Sequence, residues 1–88
     1  MKVVVTKQFQ KDVEKELSQS TQLQLADVLE SMRAAGTLKQ IANLKKLKGY
    51  KTAYRIRMGE YRIAFVIEDE VIKLSRVMNR KEIYRYFP

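Results

Sequence analysis

The 88-residue chain has no cysteine and no histidine. Without thiols it can form no disulfide, no thiolate metal site and no cysteine nucleophile. Without imidazole it lacks the commonest metal ligand and the usual proton shuttle of neutral pH. No metal and no other cofactor is therefore expected. Proline occurs once, as the last residue, and the three glycines fall at the ends of apparent elements. No segment approaches the roughly 18 consecutive apolar residues of a membrane span. The opening Met1-Lys2-Val3-Val4-Val5-Thr6-Lys7 returns to polar residues after three valines, which is too short for a signal-peptide apolar region. The expectation is a cytoplasmic protein with no membrane partner, resting on its apolar core alone.

A chain of this length has room for one domain, spanning residues 1–88, and buries roughly 60–65% of the surface its unfolded form exposes. What it does have is positive charge, net +8, and that charge is unevenly placed. Residues 1–36 carry five basic and five acidic side chains, whereas residues 37–88 carry thirteen basic and five acidic. The whole excess lies in the second part. A basic excess confined to one segment favours a polyanionic partner over a merely soluble surface.

The hydrophobic periodicity changes along the chain. Val3-Val4-Val5 reads as a short buried strand. Thr6 is placed to cap a helix whose Phe9, Val13 and Leu17 form one stripe. After Ser18-Gln19-Ser20-Thr21, a second helix carries Leu25, Val28, Leu29 and Met32 and closes at Gly36. The two helices read as a hairpin whose stripes belong to the core. Residues 37–51 are transitional: Ile41, Leu44 and Leu47 suggest a further helical turn, with Lys45, Lys46, Lys48 and Lys51 toward water. From Tyr54 the period becomes two. Tyr54, Ile56 and Met58 alternate with Arg55 and Arg57; Gly59-Glu60 has the form of a type II′ turn; Tyr61, Ile63, Phe65 and Ile67 alternate with Arg62, Ala64 and Val66. Glu68-Asp69-Glu70 marks another turn, and Val71 to Met78 a further strand. Asn79-Arg80-Lys81-Glu82 has the spacing of a capping box opening a short terminal helix, which gives Glu82 a structural task. The predicted architecture is α+β: a mainly antiparallel sheet of about four strands, an N-terminal helical hairpin packed on one face, and a short C-terminal helix.

The hairpin places Arg57 opposite Arg62, with Arg55 two residues along the same face. Like charges directly opposed across strands are destabilising, by roughly 0.2–1 kcal/mol, so the pair needs a use. In the terminal helix, Ile83 and Phe87 would dock while Arg80 and Tyr84, i and i+4, point away. Arg76 is expected near the edge of the core-facing side with its stem packed. Guanidinium forks grip phosphate bidentately and stay charged at any accessible pH. A tyrosine beside them can stack on an unpaired base or exchange a proton. Single-stranded RNA suits such a site because it brings its own nucleophile, the 2′-hydroxyl. The protein then has to align that hydroxyl and neutralise charge developing on the phosphorane. The sequence names no general base, since arginine cannot serve as one.

Three stretches give the chain a family likeness: Leu44-Lys45-Lys46-Leu47-Lys48-Gly49, Tyr54-Arg55-Ile56-Arg57-Met58-Gly59-Glu60-Tyr61-Arg62-Ile63, and Leu74-Ser75-Arg76-Val77-Met78-Asn79-Arg80-Lys81-Glu82-Ile83-Tyr84. The chain resembles the RelE/ParE toxins of bacterial type II toxin–antitoxin pairs. The resemblance implies a metal-independent endoribonuclease that cuts messenger RNA in the ribosomal decoding site and so inhibits translation. It also implies a cognate antitoxin that wraps the toxin and covers or displaces its site. By position, Arg55 and Arg57 resemble the family's basic pair, Arg62 the arginine on the scissile phosphate, Arg80 the arginine after the final strand, and Tyr84 the C-terminal aromatic. Lys45, Lys46, Lys48 and Lys51 would touch ribosomal RNA. The chain departs from the family in having no histidine, in carrying arginines where some members have lysines, and in placing Met78 where glycine is common. The rival within the same resemblance is a ParE-like inhibitor of DNA gyrase that cuts nothing.

Overall fold

The computed structural model describes residues 1–87; Pro88 lies outside the described residues. The elements run β1 (Lys2–Val5), α1 (Lys7–Glu16), α2 (Gln19–Ala34), a 3-10 turn (Leu38–Gln40), β2 (Leu44–Lys46), β3 (Ala53–Met58), β4 (Tyr61–Glu68), β5 (Val71–Asn79) and α3 (Ile83–Tyr86). The α+β class is as predicted, but the sheet has five strands in the order β1-β5-β4-β3-β2. It is also mixed. β1 pairs in parallel with β5, and all other pairings are antiparallel. The additional strand is β2, which replaces the helical turn expected around Leu44 and Leu47. Its side-chain period there was ambiguous; backbone pairing to β3, with Leu44 opposite Ile56 and Lys45 opposite Arg55, settles it as a strand.

α1 starts where the sequence places it, whereas α2 begins at Gln19, inside the polar Ser18-Gln19-Ser20-Thr21 stretch expected to precede it, because Ser18 serves as its cap. Thr6 Oγ1 accepts from the backbone N–H of Phe9 at 3.2 Å, and Ser18 Oγ from that of Thr21 at 3.2 Å, each relieving one of the unpaired donors of a first helical turn. α2 ends at Ala34, just before Gly36 as expected. α1 lies mainly on β5 and α2 on β1, each closer to the sheet than to the other helix. Their stripes meet the sheet face formed by Ile56, Met58, Ile63, Phe65, Ile72, Leu74 and Val77, with Phe9, Leu25 and Met32 buried against it. Tyr54 stacks on Phe65 with ring centroids 5.5 Å apart. Complete burial of a side chain such as Phe9 or Phe65 contributes roughly 1.5–3 kcal/mol. The other face of the sheet is covered only in part: α3 lays Ile83 over Ala64 and Met78, with Phe87 alongside.

The β3–β4 turn is the predicted one, with Met58 opposite Tyr61 and Gly59 at φ 58. In the β4–β5 turn both central residues, Asp69 (φ 52) and Glu70 (φ 64), lie in the left-handed region. That is the type I′ geometry matching the strand twist. Further along, Ala64 pairs with Arg76 but Phe65 with Leu74, so Ser75 is a bulge without a partner. The bulge moves Arg76 off the core-facing side where strict alternation put it. It stands opposite Ala64 and turns around the sheet edge, where its guanidinium binds Asp12 through Nε–Oδ2 at 2.8 Å and Nη2–Oδ1 at 3.1 Å. Asp12 is buried, 3% exposed, and its Oδ2 also accepts from the backbone N–H of Val77 at 3.1 Å.

The expected capping box does not form. Asn79 Oδ1 accepts from the backbone N–H of Lys81 at 2.9 Å, an Asx turn, and Glu82 makes no side-chain cap bond. Arg80 therefore precedes α3 rather than sharing a stripe with Tyr84.

Two stability outcomes follow. Asp12→Ala leaves the Arg76 charge and the Val77 N–H without partners and should lower the unfolding free energy by about 3–5 kcal/mol, measured by urea titration. Glu70→Gly removes a left-handed side-chain conformation costing roughly 1–2 kcal/mol. That exceeds the roughly 0.5–1 kcal/mol of extra backbone entropy that glycine loses on folding, so the variant should raise Tm.

Candidate nucleic-acid interface

The open part of the second sheet face is built by alternation on three strands. Lys45, Arg55 and Ala64 form one cross-strand row, and Arg57 and Arg62 the next. α3 covers Ala64 with Ile83 and leaves Lys45 and Arg57 exposed and Arg55 and Arg62 half-buried. They line a hollow of about 440 Å³ together with Asn43, Leu44 and Tyr84. Arg55, Arg57, Arg62 and Tyr84 thus come together as the sequence suggested, with Lys45 beside them. Among the described residues, none of Arg55, Arg57, Arg62 or Lys45 has a carboxylate within ion-pair distance. Uncompensated guanidiniums this close repel one another, and a bound phosphate would relieve that repulsion.

The side chains are also partly ordered before any ligand arrives. Arg62 Nη1 donates to the carbonyls of Gly59 at 2.8 Å and Tyr61 at 2.9 Å, which holds its fork over the turn. The Arg55 guanidinium lies 4.7 Å from the Tyr84 ring centroid, a cation–π contact. Tyr84 is 70% exposed, so its ring still has an open side. Tyr84 owes its place to α3, which is too short to be stable alone. Buried Ile83 anchors it, and Tyr86 receives the Arg76 guanidinium at 4.8 Å on its ring.

Arg80 is the exception among the predicted set. It does not line the hollow: its Nε pairs with Glu60 Oε2 at 2.9 Å, both side chains exposed, and its N–H donates to the Glu60 carbonyl at 2.8 Å. Lys46, Lys48 and Lys51 line a different depression, around Leu47, Gly49 and Tyr50. Sequence reasoning missed Asn43, whose carbonyl accepts from the Arg57 N–H at 3.2 Å and whose backbone is left-handed at φ 61. Asparagine just ahead of a short basic strand was the available signal, since it tolerates that conformation.

No group of three or more carboxylates able to hold a metal ion exists among the described residues. Nor is any described helix long and apolar enough to cross a membrane.

Comparison with known proteins adds the family. A model of the ParE toxin of type II toxin–antitoxin systems matches residues 3–84. The chain belongs to the RelE/ParE toxin family. Toxin RelE3 of Methanocaldococcus jannaschii is 37% identical over the full length of both chains. In the crystal structure of a RelB–RelE antitoxin–toxin complex from Methanococcus jannaschii, one chain matches with a TM-score of 0.81 and 34% identity, covering 97% of this chain and 99% of that one. A chain of the RelBE2 toxin–antitoxin complex of Mycobacterium tuberculosis matches at 0.64 and 26%, covering 90% and 96%. RelE/ParE relatives thus occur in archaea as well as bacteria, so the bacterial qualifier attached to the resemblance is too narrow.

If the hollow takes up phosphates, affinity for single-stranded RNA should fall with salt. Arg57→Ala should reduce the slope of log K against log salt by about 0.7, one phosphate contact, as measured by fluorescence anisotropy.

Proposed function

We propose that this toxin is a ribosome-dependent messenger RNA endonuclease that arrests translation, acting in the cytoplasm as a single toxin domain. The observation that carries the reading is the convergence of Arg55, Arg57, Arg62 and Tyr84 on one open hollow without carboxylate partners among the described residues. The relatives named as RelE toxins support it.

In this reading the 2′-hydroxyl attacks the adjacent phosphorus, the 5′-oxygen leaves with a proton, and a 2′,3′-cyclic phosphate remains. Arg62, held over the turn, and Arg57 opposite it supply positive charge to the phosphorane oxygens, where charge develops in the transition state. Tyr84 stacks its open side on a splayed base, and its phenol, like the Lys45 ammonium, can exchange a proton with the substrate. With histidine absent, alignment of the 2′-hydroxyl carries much of the rate, and the ribosome supplies that alignment by holding the message. Arg80 joins the phosphate only by leaving Glu60, an exposed pair worth at most about 1 kcal/mol. Lys45, Lys46, Lys48 and Lys51 add contact with the ribosomal RNA backbone, sequence-blind and salt-sensitive. No metal takes part.

The partner that restrains the toxin is a cognate antitoxin protein, on the precedent of the RelB-bound relative. The second reading, inhibition of DNA gyrase without cleavage, draws on the ParE family match. It gives no use to two arginines opposed across strands beside an exposed tyrosine.

Arg62→Ala should abolish new transcript ends in a reconstituted translation reaction, by at least about a hundredfold if the arginine acts as an oxyanion-type donor, while circular dichroism stays unchanged. Full cleavage by the folded variant would overturn the proposal. Loss of gyrase supercoiling on addition of the wild-type protein would support the rival instead.

A further inference from the structure

The β2–β3 loop carries an aromatic side chain that the site described above does not use. Tyr50 is 47% exposed. It sits in a depression of about 510 Å³ with Lys46, Lys48 and Lys51. The loop is held in place rather than loose at its base: Leu47 is buried and donates its N–H to the Ala53 carbonyl at 2.9 Å, and the Tyr50 N–H reaches the Leu47 carbonyl at 3.3 Å. No carboxylate side chain lies between Glu30 and Glu60 in sequence, while eight basic ones do. None of the three lysines has an ion-pair partner among the described residues.

Successive residues of the edge strand β2 line the two hollows, Lys45 the first and Lys46 the second. Lys45 stands opposite Arg55 and points into the arginine hollow; Lys46, the next residue, stands opposite Tyr54 and points to the other side. A polyanion leaving the first hollow would therefore cross an edge only one strand thick to reach Tyr50. A duplex is too stiff for that bend, whereas a single strand can take it and present an unstacked base. A protein partner would look for a contiguous apolar centre, and here the leucine is buried, leaving one exposed ring among lysines.

We infer that Tyr50, with Lys48 and Lys51, forms a second subsite for single-stranded RNA, in which a base stacks on the tyrosine and the lysines take the flanking phosphates. The inference rests on the proposed nuclease reading and extends it by giving the RNA a path beyond the cleavage hollow, with Lys48 and Lys51 serving that strand in place of the ribosomal RNA contact given to them above. A strand long enough to span both hollows should bind more tightly than one filling the first alone.

The test uses fluorescein-labelled 2′-O-methyl oligouridylate, which cannot be cleaved, in lengths of about four and about twelve nucleotides. Anisotropy titrations on the full chain should show Tyr50→Ala weakening the longer strand about tenfold and leaving the shorter one unchanged. Tyr50→Phe should retain wild-type affinity. Tyr50→Ala should leave the salt slope alone, whereas Lys48→Ala with Lys51→Ala should lower it by about 1.4 for the longer strand. Wild-type binding of the longer strand by a folded Tyr50→Ala variant would overturn the subsite, as would equal weakening of both lengths. The nuclease reading fails differently: short-strand binding and cleavage would then be indifferent to Arg62→Ala, whatever Tyr50 does.

Discussion

Asp12 meets the sheet where β1 runs out. β1 pairs with β5 only as far as Leu74, so the N–H groups of β5 beyond that point would face an uncovered edge. The Asp12 carboxylate takes one of them, from Val77, and binds the Arg76 guanidinium with both oxygens. A buried carboxylate is tolerable only with this degree of pairing. The arrangement fixes α1 to β5, turns Arg76 around the edge, and presents the arginine to the Tyr86 ring on the opposite face. Through α3 it reaches Tyr84, and through Tyr84 the Arg55 guanidinium. One carboxylate on the helical side thus helps to place an aromatic ring on the open, basic side.

The open face shows the opposite treatment of charge. Arg76 is neutralised by Asp12 and Arg80 is occupied by Glu60, while Arg55, Arg57 and Arg62 have no acidic neighbour within reach among the described residues. Two arginines of the same chain are therefore committed to structure or held aside, and three are left to repel one another. The strand pairing that opposes Arg57 to Arg62 persists because Ile56, Met58, Ile63 and Phe65 are buried on the reverse side of the same strands. Their burial, at roughly 1.5–3 kcal/mol for each, exceeds the cross-strand repulsion of roughly 0.2–1 kcal/mol. Hydrophobic burial on one face makes it possible to hold like charges together on the other.

Legibility from sequence followed the length scale of each interaction. The helix start at Thr6, the Gly59-Glu60 turn and the shared face of Arg55, Arg57 and Arg62 depend on neighbours a few residues apart, and local pattern encodes them directly. Family likeness pointed to Tyr84 through its position in the terminal segment. The Asn79–Glu82 segment also looked local, yet its capping pattern gave way to an Asx turn. In that segment Arg80 was drawn to Glu60, a residue of the β3–β4 turn.

By itself the amino-acid sequence determined the secondary elements with clear periods, the location of the basic excess, and the absence of any thiol or imidazole chemistry. Only the tertiary structure decided that Leu44–Lys46 is a strand, that β1 lies parallel to β5, and that Arg76 leaves the core-facing side at the Ser75 bulge. A three-residue segment has no period of its own to read, and a bulge cancels the alternation on which reading depends. Partners 64 and 65 positions distant, such as Asp12 with Arg76 and Val77, leave no mark on local pattern. They are chosen by which backbone groups the completed sheet leaves unpaired.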